Sequence, residues 1–202
     1  MSADAGQNTG HIPVLLAEVL AHLVPAAGGQ YIDGTAGAGG HTAALLEASA
    51  PDGRVLALDR DPEAVAFARQ QLTQFGNRVN VVQANYAEMA AVAPAHGFEA
   101  IDGILLDLGL SSRQLADNQR GFSFQEEGPL DMRFDPTSGR PASALVNTLS
   151  ADELADIFWQ YGEEKLSRHY ARLIVANRPL HTTTELAALI ADNTHRHGRI
   201  HF

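Results

Sequence analysis

Four short apolar segments, of which the first three are each followed by a helical pattern, limit the folds open to this chain. In order, they are "QYID" (30–33), "RVLALD" (54–59), "RVNVVQA" (78–84) and "IDGILLDLGL" (101–110). Strands that alternate with helices along a chain form parallel sheets with helices packed on both faces. The sequence therefore predicts an α/β fold with a parallel sheet and right-handed crossovers.

Helix-start signals support this pattern and extend it. The segment 13–24 predicts an amphipathic helix with proline in its first turn, and a further helix is predicted from residue 61 to about residue 75. Capping residues precede three predicted helices: Asp61-Pro62, Ser150-x-x-Glu153 and Thr182-x-x-Glu185.

The alternation stops between residues 109 and 144, a segment too long for an ordinary connection in a compact domain. We interpret it as a lid loop belonging to a cofactor-binding domain of residues 1–144. From residue 145 to 202 the pattern is purely helical, which predicts a helical subdomain.

The charge of the chain restricts its partners. With 24 Asp and Glu against 14 Lys and Arg, the formal net charge is −10, which argues against a general nucleic-acid coat protein. Residues 160–202 differ, since they hold six basic residues (165, 168, 172, 178, 196 and 199) and four acidic ones (163, 164, 185 and 192). A local basic face is therefore compatible with the acidic total.

Other features favour an ordinary cytoplasmic protein. No apolar run reaches the 18 residues needed to cross a bilayer, and the first ten residues do not resemble a signal peptide. The absence of cysteine excludes disulfides and thiolate metal sites. We expect no metal site at His195, His197 and His201, which lack acidic neighbours in a defined pattern.

The segment "YIDGTAGAGGHTAALL" (31–46) carries a glycine-rich loop between a strand and a helix. It lacks the third glycine of the dinucleotide fingerprint, and Asp33 before the loop would repel a pyrophosphate. S-adenosylmethionine has no phosphate and carries a sulfonium and an ammonium. Asp59, at the end of the second strand, is placed to accept hydrogen bonds from ribose hydroxyls. These features favour a methyltransferase over a nicotinamide enzyme, with a ligand-free tight turn as the alternative.

Asp107 ends the fourth strand, and the carboxyl ends of parallel strands meet at one edge of a sheet. We expect Asp107 beside the glycine loop, either as a cofactor contact or as a catalytic residue. A structural role, such as capping a helix, is the alternative.

Further motifs follow in order: "HIPVLLAEVL", Asp59-Arg60-Asp61-Pro62, "RGFSF" (120–124), "GPLDMRFD" (128–135) and "YGEE" (161–164). With the glycine loop, they closely resemble the bacterial RsmH (MraW) family. Members of that family use S-adenosylmethionine to methylate N4 of a cytosine in small-subunit (16S) ribosomal RNA. The resemblance covers nearly the whole chain.

The resemblance implies a class I methyltransferase fold, with a Rossmann-like parallel sheet and an inserted helical subdomain. It implies cofactor contacts at seven residues: Gly39, Gly40, His41, Asp59, Tyr86, Asp107 and Gln114. We add Asp33 from its charge. Family members continue beyond this point, so we expect the C-terminal strands of the sheet to be missing here.

The implied partner is 16S ribosomal RNA, and the acidic total favours an assembled small subunit over free RNA. We expect RNA contacts at four residues of the lid: Arg113, Arg120, Phe122 and Arg133. Packing of the lid phenylalanines is the equally weighted alternative. A methyltransferase with another substrate and an inactive cofactor-binding module on the ribosome are the competing functions. The oligomeric state stays open, with a homodimer as one option.

Overall fold

A parallel sheet organises the first part of the chain in the computed structural model, which describes residues 13–194. Its four strands are β1 (Gln30–Asp33), β2 (Arg54–Asp59), β3 (Val79–Gln83) and β4 (Gly103–Leu105). Their order in the sheet is β3-β2-β1-β4, and every pair is parallel. The predicted parallel sheet is therefore confirmed, and the direction of strand addition reverses between β1 and β4.

Four helices accompany these strands: α1 (Leu16–Leu23), α2 (Gly40–Ala48), α3 (Pro62–Gln71) and α4 (Met89–Ala95). Short 3-10 helices span Thr73–Arg78 and Tyr86–Glu88. Adjacent residues of β1 point to opposite faces of the sheet, so Tyr31 and Ile32 belong to different apolar clusters. Each fully buried side chain of this size contributes about 1.5–3 kcal/mol. Apolar packing on both faces holds the sheet in place.

Two boundaries differ from the sequence prediction. Helix α1 begins at Leu16 rather than near Pro13, because Leu15 adopts a left-handed conformation with φ of 53°. Strand β4 is three residues long instead of ten, and it pairs only with Tyr31–Asp33 of β1. Because β1 turns away after Asp33, the backbone beyond Leu105 has no strand ladder to join among the described residues.

The second part of the chain is helical. Its helices are α5 (Ser112–Ala116), α6 (Ala142–Thr148), α7 (Ala151–Gly162), α8 (Ser167–Ala176) and α9 (Thr183–Asn193), with a 3-10 turn at Asn118–Arg120. The capping boxes predicted at Ser150 and Thr182 are confirmed, as is the cap at Asp61. The core of this part is apolar and comprises Leu130, Val146, Leu154, Ala155, Ala171, Ile174 and Leu180.

The two compact units divide after Gly109, not near residue 145 as composition suggested. Leu130 lies in the segment interpreted as a lid, yet it is 2% exposed in the core of the helical unit. Its N–H donates to the His181 carbonyl at 3.0 Å, and the Thr183 N–H donates to the Gly128 carbonyl at 3.0 Å. Much of the segment 110–144 therefore folds with the helices that follow it.

Candidate functional site

An aspartate lies at or just beyond the carboxyl end of three strands. Asp33 ends β1, Asp59 ends β2, and Asp107 follows β4 by two residues. In open parallel sheets, ligands bind outside these ends at the point where the strand order reverses. Here that point lies between β1 and β4. The first unit therefore presents its acidic groups at the edge where this fold holds ligands.

Asp33 is the most deeply buried of the three, with no exposed surface. The Thr42 hydroxyl donates to its Oδ2 at 2.6 Å, and the Thr35 N–H donates to its Oδ1 at 3.1 Å. Burial raises the pKa of this carboxyl above its ordinary value. Asp33 thus ties the glycine loop to α2, and its contact with a ligand stays a prediction.

The buried position of Asp33 leads to a stability prediction. Asp33→Ala should lower the free energy of unfolding by about 1–3 kcal/mol for each donor left unpaired. Asp33→Asn can keep both hydrogen bonds, because its oxygen can accept from Thr35 and its amide can donate to Thr42 Oγ1. Urea titrations of both variants and the wild type measure the difference.

The same variants test the charge of Asp33. A raised pKa in the folded state means that the contribution of Asp33 to stability is complete below its ordinary pKa of 3.8 and is lost as pH rises through the folded-state value. The stability of wild type relative to Asp33→Asn should therefore fall from acidic toward neutral pH. Parallel pH profiles of the two proteins would contradict this account.

Asp59 ends β2 and organises the loop beside it. Its Oδ2 accepts the Gly37 N–H at 2.8 Å, and its Oδ1 accepts the Asp61 N–H at 2.9 Å. Burial raises the pKa of Asp59, although the Asp59 side chain is less buried than that of Asp33. The Arg60 N–H also interacts with this carboxylate, and of its four lone pairs Asp59 keeps at least one that can accept a hydrogen bond from a ligand.

Two glycines of the loop are required by its packing. Gly39 has φ of 88°, a left-handed conformation that side chains disfavour, and it precedes α2. A Cβ on Gly40 would lie 2.6 Å from Pro13 Cγ, which is too close for any side chain. The loop backbone therefore lies against Pro13, in the segment before α1, and the conformation of Gly39 and the packing of Gly40 account for both glycines without a ligand.

His41, Thr35 and Asp107 are linked at the end of β4. The Asp107 N–H donates to Thr35 Oγ1 at 2.7 Å, and Asp107 Oδ2 lies 3.8 Å from His41 Nδ1. His41 Nε2 is 3.1 Å from the carbonyl oxygen of Val14, which can only accept, so this nitrogen carries a proton. The Asp107 side chain is 51% exposed and can reach a ligand.

Tyr86 and Gln114 occupy different environments. Tyr86 follows β3, is 39% exposed, and its Cβ would lie 3.0 Å from a Cβ placed on Gly34. It therefore borders the loop that follows β1, as an aromatic wall of a ligand site would. Gln114 lies in the second unit, where its Oε1 accepts the Ser111 N–H at 2.9 Å and completes the capping box of α5.

The lid arginines are engaged with protein groups. Arg120 is 7% exposed, and its Nη2 donates to the carbonyls of Arg133 and Phe134 at 3.2 and 2.6 Å. Arg133 forms a two-pronged ion pair with Asp131, at 2.9 and 2.7 Å, and holds the pKa of that carboxyl below its ordinary value. The Phe122 ring lies 5.2 Å from Phe134.

These contacts favour packing for Arg120, Phe122 and Arg133 over the RNA contact predicted for them. Arg113, by contrast, is exposed on α5. The role of Arg120 could not be identified from the sequence, because its acceptors are carbonyls 13 and 14 residues away. The pair Asp131-x-Arg133 is local, and its signal was missed. Thr35 and Thr42 were also missed, and their only signal was polarity beside the glycines.

The burial of Arg120 gives a second stability prediction. Arg120→Ala should destabilise the second unit by about 1.5–3 kcal/mol, because hydrogen bonds from a charged donor to two carbonyls are lost. Thermal unfolding followed by circular dichroism measures this change, with Arg140→Ala as an exposed arginine control. An unchanged unfolding temperature with a raised KM for ribosomal RNA would restore the RNA-contact interpretation.

Within residues 13–194, no group of three or more histidine or acidic side chains is arranged to hold a metal ion. His195, His197 and His201 lie outside the described residues. Among the described helices, none has the length and apolar character to cross a membrane.

Comparison with known proteins gives a consistent result. The profile of the MraW methylase family matches residues 8–202. The ribosomal RNA small subunit methyltransferase H of Thermomicrobium roseum is 57% identical over 187 residues, which are 91% of this chain and 57% of that protein. The proteins of the same name from Geotalea uraniireducens and Magnetococcus marinus are 52% and 50% identical, covering 89% and 95% of this chain.

This chain spans 59% and 62% of the Geotalea and Magnetococcus proteins, so it matches less than two thirds of each relative's length. The profile nevertheless covers nearly all of the chain itself. The chain belongs to the MraW methylase family.

Proposed function

We propose that this chain binds S-adenosylmethionine and directs its methyl group to N4 of a cytidine in 16S ribosomal RNA. The observation that carries the proposal is the meeting of the glycine loop, Asp59 and Asp107 where the strand order reverses. Membership of a methylase family and the names of the relatives agree with it.

The first unit has donors and acceptors that suit this cofactor. Asp59 keeps at least one lone pair for a ribose hydroxyl after binding the Gly37, Asp61 and Arg60 N–H groups. The N-terminus of α2, which begins after Gly39, favours the cofactor carboxylate through its free N–H groups and dipole. Asp107 supplies the negative charge that suits a sulfonium or an ammonium.

A second proposed role of Asp107 is to accept a hydrogen bond from the cytosine N4 amine. When bound, S-adenosylmethionine supplies an electrophilic methyl group. The cytosine N4 amine is a poor nucleophile because its lone pair is delocalised into the ring. A carboxylate that accepts a hydrogen bond from this amine both orients it and favours release of the lone pair. Orientation of this kind can contribute roughly 7–11 kcal/mol.

Calorimetric titration with S-adenosylmethionine and with NADH tests the cofactor. We expect heat from a single site with the first and none with the second. Binding of NADH, or of neither compound, would contradict the cofactor assignment.

We further propose that the substrate is the assembled small subunit, which places the reaction in the cytoplasm. The net charge of −10 opposes binding to naked RNA and favours a surface that recognises shape. Labelling of assembled subunits should exceed labelling of protein-free 16S RNA, and the reverse order would contradict this part. Sedimentation velocity decides whether the chain acts as a monomer or a homodimer.

A further inference from the structure

Three basic side chains form an exposed stripe at the start of α8, which we call the α8 stripe: Lys165, Arg168 and Arg172. Their spacing of three and four residues places them on one side of the helix and the turn before it. The opposite side of α8 is buried, through Tyr170, Ala171 and Ile174. The stripe is therefore held outward by the packing of α8 on its own unit.

The cations of the α8 stripe have acidic neighbours in sequence, since Glu163 and Glu164 precede Lys165 directly, but they form no ion pair within the described chain. No carboxylate of residues 13–194 forms an ion pair with them, although Asp152 lines the same surface hollow as Arg168 and Arg172. Residues 165–184 contain no acidic residue, in a chain with 24 of them. A polyanion is the partner that complements such a run of charge.

The position of these cations is unfavourable for the helix itself. The first turn of α8 contains no acidic residue, and the positive end of the helix dipole disfavours cations there by about 0.3–1 kcal/mol each before screening. Sequences break such local rules mainly where function requires it. Lys165 and Arg168 therefore add to the positive potential at this end of α8 instead of offsetting it.

Aromatic side chains lie close to the stripe in sequence, at the end of α7. Trp159 is 60% exposed and Tyr161 is 82% exposed, and Leu166 in the following turn is 51% exposed. Exposed aromatic rings together with cations free of ion pairs are the combination that binds single-stranded nucleic acid, with bases stacked on rings and phosphates on cations. Trp159 and Tyr161 are two residues apart on α7 and project from different sides of it, so they do not share one surface.

We propose that the α8 stripe, with Trp159 as a stacking residue, is a docking surface for a single-stranded segment of RNA. This inference rests on the proposed function for the identity of the RNA, but the surface can be tested separately. It moves the expected RNA contacts from Arg120 and Arg133, which bind protein groups, to a surface whose charges are free of ion pairs.

The test uses the 202-residue chain and a fluorescein-labelled single-stranded RNA oligonucleotide of mixed sequence. Binding is measured by anisotropy across a salt series. Each phosphate contact to a single strand contributes about 0.7 to the slope of log K against log salt. The triple variant K165Q/R168Q/R172Q should therefore lose about 2 from the magnitude of that slope.

Matched variants separate the contributions. Arg168→Gln should reduce the slope by about 0.7, whereas Arg140→Gln removes the same charge from the same unit and should leave it unchanged. Asp152→Asn should strengthen binding. Trp159→Ala should weaken binding about fivefold or more without changing the slope, because stacking is not ionic. Thermal unfolding of each variant verifies that the helical unit is intact.

Wild-type affinity and slope in the triple variant would overturn the proposal, as would an absence of RNA binding by the wild type. Loss of binding to intact small subunits, with unchanged affinity for the oligonucleotide, would assign the stripe to a protein partner instead. Titration of the same variants with S-adenosylmethionine keeps the two hypotheses apart. Failure to bind the cofactor refutes the proposed function, whereas a change in salt slope concerns only the surface.

Discussion

Asp107→Asn is expected to lower the single-turnover rate of methyl transfer by about 10²–10⁴-fold, the range that a positioned proton acceptor contributes. The variant keeps the size of the side chain and the Asp107 N–H bond to Thr35 Oγ1, since that bond uses the backbone. What it removes is the negative charge facing His41 Nδ1 and any ligand above it. Affinity for S-adenosylmethionine should fall as well.

Rapid-quench assays with saturating cofactor separate the two effects. Asp102→Asn is the matched control, because Asp102 lies at the other end of β4 and accepts the Gln30 N–H at 2.8 Å, a bond that asparagine can keep. Full single-turnover activity of Asp107→Asn would rule out the acceptor role. Wild-type cofactor affinity would also rule out the binding role.

Asp59→Ala should weaken S-adenosylmethionine binding by about 10- to 150-fold, equivalent to 1.5–3 kcal/mol for hydrogen bonds to a charged group. The substitution removes the acceptor for the ribose and also frees the Gly37 and Asp61 N–H groups. The loop that precedes α2 then keeps the backbone bond from the Ala36 N–H to the Leu58 carbonyl but loses its side-chain bond to β2. Cofactor binding and loop geometry should therefore deteriorate together.

Calorimetry measures this loss, with Asp52→Ala as the control. Asp52 also accepts a backbone N–H, from Gly28 at 2.8 Å, but it precedes β2 and lies at the opposite end of that strand. If Asp59 contacts the cofactor, the affinity for S-adenosylmethionine should fall strongly in Asp59→Ala and little in Asp52→Ala. Equal losses in the two variants would show that general destabilisation, and not ligand contact, explains the result.

The sequence predicted those parts of the fold that depend on local chemistry. Strand β2 was predicted to its residue limits because an apolar run ends in the polar pair Asp59-Arg60. The helix caps at Asp61, Ser150 and Thr182 follow from side chains that bond to N–H groups two or three residues away. Such contacts are contained within a few residues and can be recognised without a tertiary structure.

Features that depend on distant partners could not be predicted. The length of β4 is set by where β1 ends, and the assignment of Leu130 to the helical core depends on pairing with residues 181–183. Arg120 has the charge expected of an RNA contact. Its burial and its two carbonyl acceptors, which favour a structural role, depend on residues distant in sequence. Asp33 is likewise the acidic residue that the sequence suggests for a cation site, but its full burial beneath the glycine loop could not be predicted.

Labelled S-adenosylmethionine, incubated with this chain and with small ribosomal subunits that lack the modification, tests the central claim most directly. The RNA is then digested and its nucleosides are separated, with the Thermomicrobium roseum relative assayed in parallel. We expect label in N4-methylcytidine from the 16S RNA with the wild-type chain, and no such label with the Asp107→Asn variant. Label in another nucleoside, or none where the relative produces it, would contradict the account.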